Sequence, residues 1–151
     1  MWNGKVESIY IAAAAQGPMQ AVAEAVAIPG KGLAGDRYAL KLGTFYKPEP
    51  DYELTLIEVE AIEAIQREYG VELDAGAARR NLVTRGVALN HLVDKEFTIG
   101  DVRIRGIRLC EPCDHLERLT GKPLIKGLRH RGGLRAQILT PGTIHAGDEV
   151  R

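Results

Sequence analysis

The feature that most restricts the fold of this chain is the brevity of its regular segments. Short alternating apolar stretches are repeatedly cut off by glycine or proline, and only one stretch sustains a helical period. Gly4 to Ala14 alternates and then turns apolar, as a strand does when it starts half exposed and ends in a core. Met19 to Ile28 reads as a second strand, carrying Val22, Val26 and Ile28 before the turn Pro29-Gly30-Lys31-Gly32, so the two predict a hairpin. Lys41 to Asp51, broken by Gly43, Pro48 and Pro50, reads as a loop long enough to border a site.

The exception is Leu56 to Tyr69. Val59, Ile62, Ile65 and Tyr69 recur at helical spacing, Thr55-x-x-Glu58 suits a capping box, Glu63 and Arg67 stand four apart, and Gly70 supplies a stop. After it, Asn81 to Thr84 and Glu96 to Ile99 predict short strands. Val102 and Ile104, then Ile107 and Leu109, alternate on either side of Gly106, a slip of phase that predicts a bulge. Asp114 to Thr120 predicts a short helix ended by Gly121 and Pro123. Leu134, Ala136, Ile138, Ile144 and Val150 close the chain with strands separated by Pro141-Gly142 and Gly147-Asp148. The sum is a mainly β, α+β chain: a barrel or sandwich with added helices, in one domain spanning residues 1–151.

Charge narrows the partners. Twenty Lys and Arg balance twenty Asp and Glu, so no global field holds the molecule against nucleic acid or an anionic membrane, and any anion must be met locally. The apolar run Ile9 to Ala15 is too short to span a bilayer and has no basic region before it, so the expected location is the cytoplasm. The two cysteines, in Cys110-Glu111-Pro112-Cys113, would close only a very small loop, which suits a reduced compartment better than a structural disulfide.

That Cys-x-x-Cys lies where a strand pattern gives way to a helix, a place that favours the thiolate, which is a strong nucleophile and soft-metal ligand. Cys113 is nearer the helix start, while Cys110 ends a strand and equally suits a small core residue. Glu111 and Asp114 oppose ionisation if they point inward. Spacing alone leaves inert thiols, a zinc site, a redox dithiol or a reversible disulfide open. Zinc would need His115 and one of His91, His130 or His145, without a second Cys-x-x-Cys, and a thioredoxin-like motif would not fall so late in a strand-rich chain.

Four segments occur in a fixed order over nearly the whole chain: Gly35-Asp36-Arg37-Tyr38-Ala39, Arg79-Arg80-Asn81-Leu82-Val83-Thr84, Pro112-Cys113, and Arg131-Gly132-Gly133 leading to Gly142-Thr143-Ile144-x-x-Gly147-Asp148. Together they resemble the MOSC domain, named from the C-terminal domain of molybdenum cofactor sulfurase, in a stand-alone form. The resemblance implies a MOSC-type β-barrel with peripheral short helices, and a role in binding molybdenum cofactor or carrying activated sulfur. It places the family's cysteine on Cys113, as catalytic residue and metal ligand.

Molybdenum cofactor (molybdopterin) is a pterin with a phosphate tail, so its binder needs a cation or clustered backbone donors for the dianion and amide groups for the pterin edge. Arg79, Arg80 and Asn81 offer both, and the family pattern selects Arg79 and Asn81. Arg129 to Gly133 form a second cluster, in which Gly132 and Gly133 would let backbone approach an anion beside Arg131. Either cluster also suits solvated strand ends, and neither is a P-loop. Asp36 and Arg37 are expected near the pocket mouth, although a glycine before an acid can be a plain turn. His115 is a candidate proton donor, and Tyr46 and Tyr52 are candidates to flank the entrance.

Three functions follow from the resemblance. In the first, Cys113 ligates molybdenum for reduction of N-hydroxylated compounds; since the sequence carries no flavin, haem or iron–sulfur signature, electrons come from a separate electron-transfer protein. In the second, Cys113 receives a persulfide from a sulfur donor and passes it on for cofactor or metal–sulfur cluster assembly, with Arg79 and Arg131 holding an anionic acceptor. The third is a non-catalytic module that binds or delivers cofactor. Substrate, the role of Cys110 and oligomeric state are not legible at this level.

Overall fold

The computed structural model describes residues 4–41 and 48–151. Its strands are β1 Gly4–Ile11, β2 Gln20–Val22, β3 Glu24–Ile28, β4 Gly32–Leu33, β5 Leu54–Glu58, β6 Leu82–Arg85, β7 Glu96–Ile99, β8 Val102–Leu109, β9 Leu134–Ile138, β10 Gly142–His145 and β11 Glu149–Val150. Three helices, α1 Val59–Tyr69, α2 Asp114–Thr120 and α3 Leu124–Leu128, accompany them. The ring runs β1-β11-β7-β8-β9-β5-β6 and returns to β1, a closed barrel of seven strands. Closure leaves no unpaired edge in the ring. β2 pairs with the outside of the ring at β1, and β10-β3-β4 form a small second sheet.

Burial follows the alternation. Val6, Ile9, Leu54, Leu56, Leu82, Ile104, Leu134, Ala136 and Ile138 fill one core from the barrel strands. Ile57 and Val83 point to the other face, where Ile62 and Ile65 of α1, Leu116 of α2 and Leu124 and Leu128 of α3 cover them. β5 is therefore buried on both sides, and it runs parallel to β6 through the α1 crossover.

That double burial explains one correction. The expected helix from Leu56 splits, with Leu54–Glu58 a strand and only Val59–Tyr69 helical. Thr55 makes no capping box; its Oγ1 accepts from the Asn81 amide N–H at 3.0 Å, and Glu58 occupies the N-cap without a side-chain bond. Glu63 pairs with Arg85 of β6 at 3.0 Å rather than along its own helix. The Gly70 stop holds, with φ 65°.

The expected second strand also divides. Gln20–Val22 completes the hairpin with β1, but the chain leaves at Ala23 and Glu24–Ile28 pairs with β10, burying Ala25 and Ala27. The bulge at Gly106 is present, forced by a close approach that puts the Leu92 carbonyl where a side chain would stand. α3 escapes the sequence because five residues that include a glycine, Gly127, show no period. Gly43 and Tyr46 fall outside the described residues. Among the described residues no helix is long and apolar enough to cross a membrane.

One buried group makes the barrel sensitive to pH. Glu53 is buried, and its Oε1 accepts from the Gly30 and Ile138 amides at 3.1 Å, with no cation paired to it among the described residues. Burial raises its pKa above the ordinary carboxylate value, and the two amide bonds only partly oppose this. The folded state then holds a proton that the unfolded chain has lost, so this group's contribution falls as pH rises from the unfolded value through the folded one. Glu53→Gln, which keeps the acceptor, is expected to gain on the parent protein as pH is raised across that window. Urea midpoints showing a constant difference would contradict this.

Candidate functional site

The end of β8 and the start of α2 carry the two thiols. Cys110 is 3% exposed, and its backbone is fixed on both sides: its N–H donates to the Gly133 carbonyl at 2.7 Å, and its carbonyl accepts from Arg80 Nη2 at 3.0 Å. Glu111 and Pro112 then carry the chain outward, and Cys113, the N-cap residue of α2, is exposed and reduced. The Glu111 carboxylate is occupied by His130, accepting from its amide at 2.7 Å and lying 2.9 Å from its Nδ1.

Opposite the thiols stand arginines from three segments. Asp36 is fully buried; Oδ1 accepts from the Ala12 amide at 2.9 Å and from Arg37 Nη1 at 3.2 Å, while Oδ2 accepts from the Tyr38 amide. So anchored, Arg37 lies over the Tyr38 ring and donates from Nη2 to the Arg79 carbonyl at 3.1 Å. Arg79 adopts a left-handed conformation, φ 61°, that turns its side chain back so that Nη1 donates to the Gly17 carbonyl at 2.6 Å. Burial first, and the neighbouring Arg37 second, lower its pKa below the usual guanidinium value, as expected where cations crowd.

Arg80, 8% exposed, donates from Nε to the Gly132 carbonyl, from Nη1 to the Ala78 carbonyl and from Nη2 to that of Cys110. Arg135, on β9, lies over the Tyr52 ring with Nη1 on the Asp51 carbonyl, and its buried Nε has no hydrogen-bond partner among the described residues. Arg37, Arg79, Arg80 and Arg135 converge with Cys110 and Cys113 on one cavity of about 70 Å³. It adjoins a wider depression of about 680 Å³ that shares Gln16, Arg79 and Leu119 and continues to Gly76 and Lys122. Arg37 is paired with Asp36, whereas Arg79, Arg80 and Arg135 make no ion pair among the described residues. Buried cations without carboxylates are costly, and an arriving anion would relieve that cost.

The residues expected from sequence divide. Cys113, Arg79 and Arg37 line the cavity, with His115 on its wall, and Asp36 stands behind Arg37 and holds it. Asn81 is fully buried below, its Oδ1 accepting from Thr55 and its Nδ2 donating to the Tyr10 carbonyl, so it ties strands together. Arg131 is not brought to the cavity; it donates to the Gly127 carbonyl and pairs with Glu68 at 3.0 Å. Gly132 and Gly133 pack against the Cys110 and Leu56 carbonyls instead of facing the opening. Tyr52 is buried beneath Arg108 and Arg135. No cluster of three or more metal-ligating side chains occurs among the described residues, so Cys110, Cys113 and His115 do not assemble as a zinc site.

Arg80 and Arg135 are the wall residues that sequence reasoning passes over. Arg135 belongs to the solvent-side alternation of Leu134-Arg135-Ala136-Gln137, and only its register opposite Arg108 brings it beside the cysteine segment.

Comparison with known proteins agrees with this architecture. The family model described as MOSC domain matches residues 34–151. The crystal structure of the YuaD protein from Bacillus subtilis is similar with a TM-score of 0.80 at 17% identity, covering 99% of this chain and 97% of that one. YiiM from Geobacillus stearothermophilus is similar at 0.75 and 16% identity, covering 97% and 73%. YiiM from Escherichia coli is similar at 0.68 and 19% identity, covering 100% and 69%. The curated proteins give no match.

Proposed function

Because the chain belongs to the MOSC domain family, which is associated with molybdenum cofactor, we propose that it binds that cofactor with the Cys113 thiolate as the protein's ligand to molybdenum. The observation that carries this reading is the exposed Cys113 thiol in a cavity shared with three arginines that have no carboxylate partner. The donor set suits the group. A thiolate is a soft, strongly donating metal ligand, and the crowded Arg79, which has no carboxylate partner among the described residues, suits an anionic oxygen of the cofactor. The cavity that holds Cys113 suits the metal end, and the wider depression, with Arg79 at its border and Lys122 further out, suits the pterin and its phosphate.

When bound, the cofactor supplies a two-electron centre able to remove oxygen from an N-hydroxylated compound, with electrons delivered by a separate protein. The chain's own residues position it. Arg80 holds the Cys110 and Gly132 carbonyls and so fixes the loop that presents Cys113, and Asp36 through Arg37 fixes the backbone at Arg79. His115, on the cavity wall, is placed to exchange a proton with a bound substrate.

The test is purification from a host that makes the cofactor, followed by measurement of molybdenum and cyanide-releasable sulfur. Molybdenum is expected in the parent protein and in Cys110→Ala, and is expected to be lost in Cys113→Ala. Metal retained in Cys113→Ala would remove the ligand assignment. Releasable sulfur without metal would instead make Cys113 a persulfide carrier, and metal without turnover a binding or delivery module.

A further inference from the structure

We infer that Arg135 is the residue that selects the substrate of this pocket, and that the group it selects is a carboxylate. The inference rests on the reading of Cys113 as the reacting centre and adds a substrate class to it.

Each arginine around the cavity has a different amount of bonding capacity left. Arg37 is neutralised by Asp36 and spends Nη2 on the Arg79 carbonyl. Arg80 spends three donors on backbone carbonyls and is a clamp. Arg79 is turned toward Gly17, at the border with the wider depression, where the cofactor tail is placed. Arg135 alone of the four carries a buried donor with no partner among the described residues, its Nε.

The surroundings of Arg135 make that unmet donor specific. The Asp51 carboxylate is taken by Arg108, whose Nε lies 2.6 Å from Oδ2, so from Asp51 Arg135 receives the backbone carbonyl, on Nη1 at 3.4 Å, with the Tyr38 hydroxyl as a further neighbour. Both guanidiniums lie over the Tyr52 ring, Arg108 at 5.8 Å and Arg135 at 4.9 Å from its centroid, and this holds the Arg135 plane in place. With Nη1 engaged, Nε is the donor left for the pocket among the described residues. A buried cationic N–H without an acceptor is met best by an anionic oxygen, and a carboxylate supplies one on a small planar group. Arg135 and Cys113 line the same cavity, so a substrate whose carboxylate is held at Arg135 keeps its reacting group toward Cys113.

The test needs no metal, so its failure is separable from failure of the cofactor assignment. Cys113 of metal-free protein is alkylated with iodoacetate and with neutral iodoacetamide, and the adduct is assigned to Cys113 rather than Cys110 by tandem mass spectrometry. The iodoacetate-to-iodoacetamide rate ratio, relative to a free thiol, is expected to be raised in the parent protein and to fall roughly tenfold in Arg135→Gln. It should be intermediate in Arg135→Lys and unchanged in Arg103→Gln, a surface control paired with Glu96. An unchanged ratio in Arg135→Gln, the result if the Nε donor is met by water alone, overturns the inference, as does an equal fall in Arg103→Gln. Should Arg135→Gln not fold, millimolar acetate must slow iodoacetamide alkylation of the parent protein more than that of Arg135→Lys; equal slowing in both, or none in either, overturns it as well.

Discussion

Arg80→Ala is expected to lower folding stability by about 3 kcal/mol, with an unchanged dependence on denaturant concentration. The guanidinium is 8% exposed and bridges three carbonyls that belong to separate parts of the chain: Ala78 before β6, Cys110 after β8 and Gly132 before β9. Removing it leaves the Cys110 and Gly132 carbonyls without this donor and opens a gap where the cation stood, two of the established routes to a large loss. Arg80→Met fills most of the volume without bonding, so it should recover part of the loss, and the remainder measures the bonds. Since Cys110 and Gly132 brace the loop ending at Cys113, the alanine variant should also lose its preference for iodoacetate. A loss below about 1 kcal/mol in urea titration would show that Arg80 is a passenger, because that is the range of ordinary surface changes.

Gly133→Ala should be at least as damaging, about 3 kcal/mol or more, and is expected to give little folded protein. Its φ is +120°, a conformation L residues rarely adopt, and the added Cβ would run into the Leu56 carbonyl. Leu56 pairs with Leu134 in the barrel wall, so neither partner can give way without opening the β5–β9 ladder. Gly121→Ala provides the contrast. It too has positive φ, 69°, but nothing lies within 4 Å of the point its new methyl would occupy, so only the conformational cost of about 1 kcal/mol applies. Comparable melting points for the two variants would contradict the steric account.

These two variants also mark what the chain shows locally and what it does not. Alternation in Val102 to Leu109 and Leu134 to Ile138 is legible because each strand buries one face in the lumen, and the helix Asp114–Thr120 is legible because Gly121 ends it. Leu54–Glu58 is not legible, because a strand covered by helices on one face and barrel on the other is apolar throughout and continues without punctuation into α1. Candidate residues behave likewise. Spacing does not separate Cys113 from Cys110; the family resemblance and the helix start single out Cys113, which is the exposed one of the two. Arg79 and Arg131 look alike in sequence, yet one turns into the cavity through a left-handed backbone and the other pairs with Glu68 on another face.

The sequence by itself determined the fold class and the glycine-set boundaries of many elements, because each depends on the chemistry of a few adjacent residues. Tertiary structure alone decided which strands close the ring, that Asn81 and the glycines brace the wall, and that Arg80 and Arg135 join Cys113. The physical reason is that a guanidinium's role depends on which carbonyls and carboxylates reach it. For Arg80 those partners come from positions 78, 110 and 132, and for Arg135 from Asp51, brought together only when the barrel closes.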